Sequence, residues 1–165
     1  MDFHNKYHLR DLLSREMFEI YFLLGLRKLA IAMIAIFLPL YLLVELNLGL
    51  PKTLFFFVTM SLASIPSMIL ALFMIKKKGT KHVLIYSTPF LVLGMLSLIF
   101  LQQKPELYLI PAIFFGLDMA LFWIAFHIDA AISTKRKQLG KESALITVVT
   151  IFGSIFGPLL GGLIL

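Results

Sequence analysis

Long runs of apolar residues, separated by short polar segments, dominate this chain of 165 residues. A helix that crosses the hydrocarbon core of a bilayer needs about 20 largely apolar residues, because each residue adds about 1.5 Å. Five runs meet this requirement, at residues 19–44, 53–75, 83–101, 108–128 and 144–165. The pattern therefore predicts an all-α, polytopic membrane protein with a five-helix transmembrane bundle over residues 19–165.

The composition excludes a soluble domain. Hydrophobic residues make up 60% of the chain, charged residues 15%, and the mean hydropathy is +0.96. Soluble domains usually have about 45–50% apolar and about 25% charged residues. The net charge of +6 does not indicate a nucleic-acid partner, because the basic residues lie in short segments beside the apolar runs. The lipid bilayer is the expected partner. The chain has no cysteine, so disulfides and thiolate metal sites are excluded.

The distribution of lysine and arginine predicts the orientation. Thirteen of these residues lie in the N-terminal part of the chain through Lys28, between the second and third runs, or between the fourth and fifth. The two remaining residues, Lys52 and Lys104, lie in the other two connections. Since cytoplasmic segments carry the excess of positive charge, we expect a multi-pass protein of the cell membrane with a cytoplasmic N-terminus. Residues 1–18 are then a cytoplasmic lead-in segment.

The fifth run contains glycines at intervals of four residues. Gly153, Gly157 and Gly161 fall on one helical face, where another helix can approach closely, and Gly162 follows them directly. Pro158 has no backbone N–H, which predicts a kink. Such a helix can form a seal or hinge between two helical bundles, and ordinary close helix packing explains the same pattern equally well.

The glycine segment resembles a signature of the major facilitator superfamily of transporters, in the form found in its proton-coupled antiporters. The signature is Gly-x-x-x-Gly-Pro-x-x-Gly-Gly, and it matches at residues 153–162. The connection between the second and third runs is similar to the family's cytoplasmic loop, where Lys77, Gly79 and Lys81 match. Lys76 stands where the family has an aspartate.

This resemblance covers the first half of the family's twelve-helix plan, without the sixth helix. It implies a secondary active transporter with a central cavity between two six-helix bundles. It also implies a small-molecule substrate, a coupling proton and a prokaryotic inner membrane. The missing C-terminal half of the same transporter would then be a partner. The apolar end of the chain also favours a fragment of a longer protein.

Asp118 lies near the middle of the fourth run. An ionised carboxylate at the bilayer centre costs at least about 2.5–3.5 kcal/mol, so such residues usually face a wet cavity or a partner. We interpret Asp118 as a substrate- or proton-binding carboxylate; the alternative is a purely structural, hydrogen-bonded side chain. Phe122 shares its helical face, and Trp123 lies beside Phe122 on the side of His127. These aromatic residues complete the candidate binding site.

No motif of an enzyme is present. A phosphate-binding glycine loop, paired metal-ligand histidines and a nucleophile elbow are all lacking in the sequence. We therefore expect neither a catalytic site, nor a metal, nor a cofactor. The alternative to a transporter is a small self-associating membrane protein, either a scaffold or an oligomeric pore. In that case the glycine face of the fifth helix would contact other copies of the chain.

Overall fold

The computed structural model describes residues 15–133 and 139–164 of the chain. In these ranges the protein is helical, and strands are absent. The five long helices are α1 (Arg15–Ala35), α2 (Gly49–Lys78), α3 (Thr80–Phe100), α4 (Leu109–Ser133) and α5 (Leu139–Ile164). Each belongs to a segment that is long and apolar enough to cross a membrane. The predicted set of five transmembrane helices is therefore confirmed.

Large apolar side chains cover the outer surfaces of these helices. Phe73, Ile85 and Ile132, for example, are 63%, 66% and 74% exposed. In water, such extensive apolar surface would drive aggregation. In a bilayer the same side chains are solvated by lipid. The exposed surface therefore agrees with a protein that is embedded in a membrane.

The helices form two packed units, which are described separately. The first unit contains α1 and α5, from the described residues before Pro39 and after Ile132. The second unit, Pro39–Ile132, contains α2, α3 and α4. One unit therefore consists of three consecutive spans, and the other joins the first span to the last.

In the first unit, the glycine face of α5 packs directly against α1. A Cβ atom added at Gly153 would lie 3.0 Å from Cβ of Lys28, and one added at Gly157 would lie 2.5 Å from Cβ of Ala32. At Gly161 the added atom would lie 2.6 Å from the carbonyl oxygen of Met33. The absence of a side chain at these positions is thus what allows the two helices to lie so close.

The order of these contacts fixes the relative direction of α1 and α5. Contacts advance along both helices together, from Gly25 against Val149 to Met33 against Gly161. The two helices are therefore parallel. Two spans can be parallel only if the chain crosses the membrane an odd number of times between them. The three intervening spans satisfy this requirement.

In the second unit, α4 contacts both α2 and α3. Gly116 of α4 lies against Met60 and Ala63 of α2, and the ring of Phe115 covers Gly94 of α3. Further along α4, a buried cluster joins the three helices through Ala71, Val83, Leu121 and Ala125. These contacts make α4 parallel to α2 and antiparallel to α3, as the short connections require.

The connection between α2 and α3 is shorter than the sequence predicts. We expected a polar loop over residues 76–82, but Gly79 alone separates the two helices. Its φ of 85° is a backbone conformation that side-chain-bearing residues rarely adopt, so one glycine reverses the chain. Lys77 and Lys81 consequently lie in the terminal turns of α2 and α3, and their assignment to a loop is wrong.

The first span is not one continuous α-helix, as predicted for residues 19–44. Pro39 has no N–H to donate to the carbonyl of Ala35, where α1 ends. A short α-helical segment, Phe37–Leu40, and a π-helical turn, Tyr41–Glu45, complete the span. Rings closed by one additional residue, such as Leu46 N–H to Tyr41 O at 3.0 Å, explain this wider turn.

The starts of α1 and α2 differ from the predicted boundaries. Helix α1 begins at Arg15, inside the predicted lead-in segment 1–18, and residues 1–14 lie outside the described residues. Helix α2 begins at Gly49, so that Pro51 occupies its first turn, where a missing N–H costs nothing. Most of the basic connection between α4 and α5, residues 134–138, also lies outside the described part of the chain.

The glycine contact between α1 and α5 predicts the effect of adding a methyl group. In Gly157→Ala the new Cβ meets Ala32 and the backbone of α1, so we expect the free energy of unfolding to fall by about 1–3 kcal/mol. Gly162→Ala is the matched control, because the nearest atom to its new Cβ is 3.8 Å away. Thermal unfolding in detergent, monitored by circular dichroism, measures the stability of both variants. Equal stability of the two variants would contradict the packing.

Candidate functional site

Asp118 lies about ten residues into α4 and is only 4% exposed. Helix α4 is the most buried of the five membrane spans. Its position in contact with both α2 and α3 explains how a carboxylate in the middle of a membrane span avoids lipid. The location of Asp118 thus fits the kind of intramembrane acid that marks a pathway for ions or substrates.

The side chains that share a helical face with Asp118 are buried as well. Phe122 is 9% exposed, Ala125 0% and Asp129 5%. These positions recur at intervals of three and four residues, which places them on one side of α4. The face that Asp118 and Phe122 were predicted to share is therefore buried, and this burial continues over about three turns of α4.

The aromatic residues of α4 form a connected cluster. The rings of Phe122 and Trp123 meet edge to face at 5.7 Å, and Phe122 stacks on Phe126 at 5.7 Å. Trp123 stacks on His127 with ring centroids 5.3 Å apart. The structure thus brings Phe122 and Trp123 into contact, about one turn further along α4 than Asp118. His127 is exposed and held by the indole ring, which favours an anchoring role at the helix end.

Small residues allow close contact of α2 and α4 near the level of Asp118. A Cβ added at Gly116 would overlap the carbonyl oxygen of Met60. About two helical turns further along α2, the buried hydroxyl of Ser67 donates a hydrogen bond to the carbonyl of Ala63, 2.8 Å away. Because this hydroxyl forms its hydrogen bond within α2, the surface of α2 that faces its neighbours remains apolar. The packing therefore fixes the position of α4 around Asp118.

A second buried acid, Asp129, lies at the end of α4 that is close to Gly79. The hydroxyl of Thr80, the first residue of α3, donates a hydrogen bond to Oδ1 of Asp129 at 2.5 Å. Oδ2 of the same carboxylate is buried and has no hydrogen-bond partner among the described residues. The contact joins the start of α3 to the end of α4.

Sequence reasoning did not find this contact, although the topology contains a signal for it. Helices α3 and α4 are antiparallel, so the first residue of one and the last turn of the other lie at the same membrane face. Thr80, the first residue of α3, therefore comes within reach of the carboxylate of Asp129.

The predicted site residues fall into three separate places. Asp118, Phe122 and Trp123 lie together in the middle of α4, whereas Lys77, Gly79 and Lys81 lie at the turn between α2 and α3. Asp118 precedes Asp129, which contacts this turn, by eleven residues, or about 16 Å along the helix. The third place is the set of α5 residues Gly153, Gly157, Pro158, Gly161 and Gly162.

Within α5 only three of the glycines contact α1 closely. Gly153, Gly157 and Gly161 are buried, while Gly162 is exposed, and α5 remains helical through Pro158. A groove of about 450 Å³ runs beside this contact, between α1 and α5. Its walls carry only glycine, leucine, valine and phenylalanine, so it contains no group that would bind a polar ligand.

No set of three or more histidine, aspartate or glutamate side chains within the described ranges is arranged to hold a metal ion.

Comparison of the chain with models of known protein families, with curated proteins and with solved structures gave no match. Among the residues of the site, Asp118 is the one that carries a buried ionisable group.

The hydrogen bond between Thr80 and Asp129 predicts a specific loss of stability. Thr80→Val keeps the shape of the side chain but removes the donor to Oδ1 of the buried Asp129 carboxylate. We therefore expect the free energy of unfolding to fall by about 1–3 kcal/mol. Thr88→Val, at an exposed position of the same helix, should change stability by less than about 0.5 kcal/mol. Chemical denaturation in mixed micelles measures the difference; similar values for the two variants would contradict the assigned bond.

Proposed function

We propose that this chain is part of a secondary active transporter of the major facilitator type, which moves small molecules across the cell membrane with its N-terminus in the cytoplasm. Proton-coupled export is the mode that the sequence resemblance favours. The five spans then supply most of one helical bundle, and alternating access exposes a central site to each side in turn. The missing half of the transporter would complete the cavity.

Asp118 is the observation that carries this proposal. Asp118 places a carboxylate in the middle of the most buried span, where a buried leucine would carry no electrostatic cost. Phe122 and Trp123, about one turn further along α4, offer an aromatic surface, which suits an apolar or cationic organic substrate. Reversible protonation of the carboxylate would link proton movement to substrate release.

The packing of α5 bears on the alternative function, a self-associating scaffold or pore. That alternative requires the glycine face of α5 to contact a second copy of the chain. In the structure the same face lies against α1, within one unit of a single chain. The close contact is therefore already made inside the chain, and the transporter remains the function that these residues support better.

The role of Asp118 is tested by proton coupling. Proteoliposomes that contain the intact transporter and an internal pH-sensitive dye report proton movement when hydrophobic amines and cations are added outside. We expect Asp118→Asn to reduce substrate-driven proton flux at least about tenfold, because an amide does not take up and release a proton at neutral pH. Glu45→Gln, at an exposed position, is the matched control and should retain the flux within about twofold.

Binding measurements separate the two roles of the carboxylate. If Asp118 carries the proton, the asparagine variant still binds substrate and exchanges it across the membrane without moving protons. If Asp118 binds the substrate, affinity is lost together with the flux. Undiminished proton coupling in the asparagine variant would contradict the proposed site.

A further inference from the structure

The junction of α2 and α3 concentrates positive charge at one edge of the membrane-spanning region. We call residues 76–82 the basic turn. Lys76, Lys77 and Lys78 form the last turn of α2, and Lys81 and His82 lie in the first turn of α3. All five side chains are exposed. Because Gly79 alone separates the helices, these groups are held within a short stretch of the surface.

The basic turn lies where lipid headgroups are found. The two membrane spans concerned, Gly49–Lys78 and Thr80–Phe100, end and begin at Gly79. Tyr86 lies one to two turns inside α3, and tyrosine is typical of the membrane–water interface. Nζ of Lys78 donates a hydrogen bond to the Tyr86 hydroxyl at 3.3 Å and lies 4.7 Å from the centre of its ring. The ammonium groups are thus placed at the depth of headgroup phosphates.

The positive charge has no acidic counterpart in its own helices. Residues 46–105, which contain all of α2 and α3, include neither aspartate nor glutamate. Among the described residues, Asp129 packs against the turn through Thr80. Asp129 is 5% exposed, whereas Lys76, Lys77 and Lys78 are exposed. The surface of the turn therefore presents a concentrated positive potential to the membrane.

We propose that the basic turn is a binding site for anionic phospholipids, whose headgroup phosphates contact Lys76, Lys77, Lys78 and Lys81. Clusters of four or more basic residues beside a membrane span attract acidic headgroups, and lysine binds phosphate as a point charge. A site of this kind stabilises the junction of α2 and α3 in membranes of suitable composition. It does not depend on the transport function proposed above.

A role limited to setting the orientation of the chain makes a different prediction. Lysines that act only during insertion confer no preference among lipids in the folded protein. A headgroup site prefers anionic over zwitterionic lipids, and this preference weakens as ionic strength rises. The two roles are therefore distinguished by measuring lipid preference on the folded protein.

The experiment compares two variants with the same change in net charge. The protein is reconstituted in dioleoylphosphatidylcholine vesicles, and spin-labelled phosphatidylglycerol and phosphatidylcholine report the lipids in contact with it. We expect the wild-type protein to prefer phosphatidylglycerol, and Lys76→Gln/Lys77→Gln to lose this preference by about fivefold or more at low salt. Lys52→Gln/Lys104→Gln removes two charges, one in the first turn of α2 and one shortly after the end of α3, and should change the preference by less than about twofold.

Each result supports or overturns the proposal. Retention of the preference in Lys76→Gln/Lys77→Gln overturns it, and so does an equal loss in both double variants, which would indicate an effect of net charge. Displacement of the lipid by inorganic phosphate, beyond that caused by chloride at equal ionic strength, would indicate a site for free phosphate and also overturn it. If the double variant fails to fold, Lys77→Gln and Lys77→Arg replace it, and only the glutamine variant should lose the preference.

Discussion

Close approach of helix backbones is the interaction on which the packing of this protein depends. Helices in a bilayer gain little by burying apolar side chains, because lipid solvates leucine and phenylalanine as well as a neighbouring helix does. Contact must then come from dense packing at small residues and from a few buried hydrogen bonds. Both packed units meet this condition. Helices α1 and α5 meet at Gly153, Gly157 and Gly161, and α4 meets α2 at Gly116.

This constraint also accounts for the placement of the polar residues. Because α4 is held against two other helices, its buried face accommodates Asp118 and Asp129 away from lipid. Asp129 is satisfied in part by Thr80, which the single-residue turn at Gly79 delivers to the end of α4. The same turn keeps its lysines at the membrane edge. Packing, chain reversal and charge placement are thus linked at the junction of α2, α3 and α4.

Much of this architecture was predictable from the sequence, because the membrane imposes strong rules on composition. Span lengths follow from the thickness of hydrocarbon, so all five helices were predicted within a few residues at most ends. The spacing of four residues between Gly153, Gly157 and Gly161 predicted a closely packed face. Asp118 and Phe122, four residues apart, were predicted to share one side of α4, and both are buried.

Other features depend on tertiary structure and were not predictable in this way. The glycine spacing does not specify which helix fills the bare face, and only the structure identifies α1 as the partner. The break in the first span follows from Pro39, but the π-helical turn after it also depends on which carbonyls the following amides reach. The bond from Thr80 to Asp129 joins residues 49 positions apart, where local patterns carry no information.

The central claim is that these apolar helices cross the bilayer, and the absence of cysteine in the sequence makes this directly testable for α3. Single cysteines introduced as Lys77→Cys and Gln103→Cys mark the two ends of α3. In sealed vesicles of one orientation, a membrane-impermeant maleimide should label one variant from outside and the other only after the membrane is opened. Labelling of both from the same side, without detergent, would contradict the account.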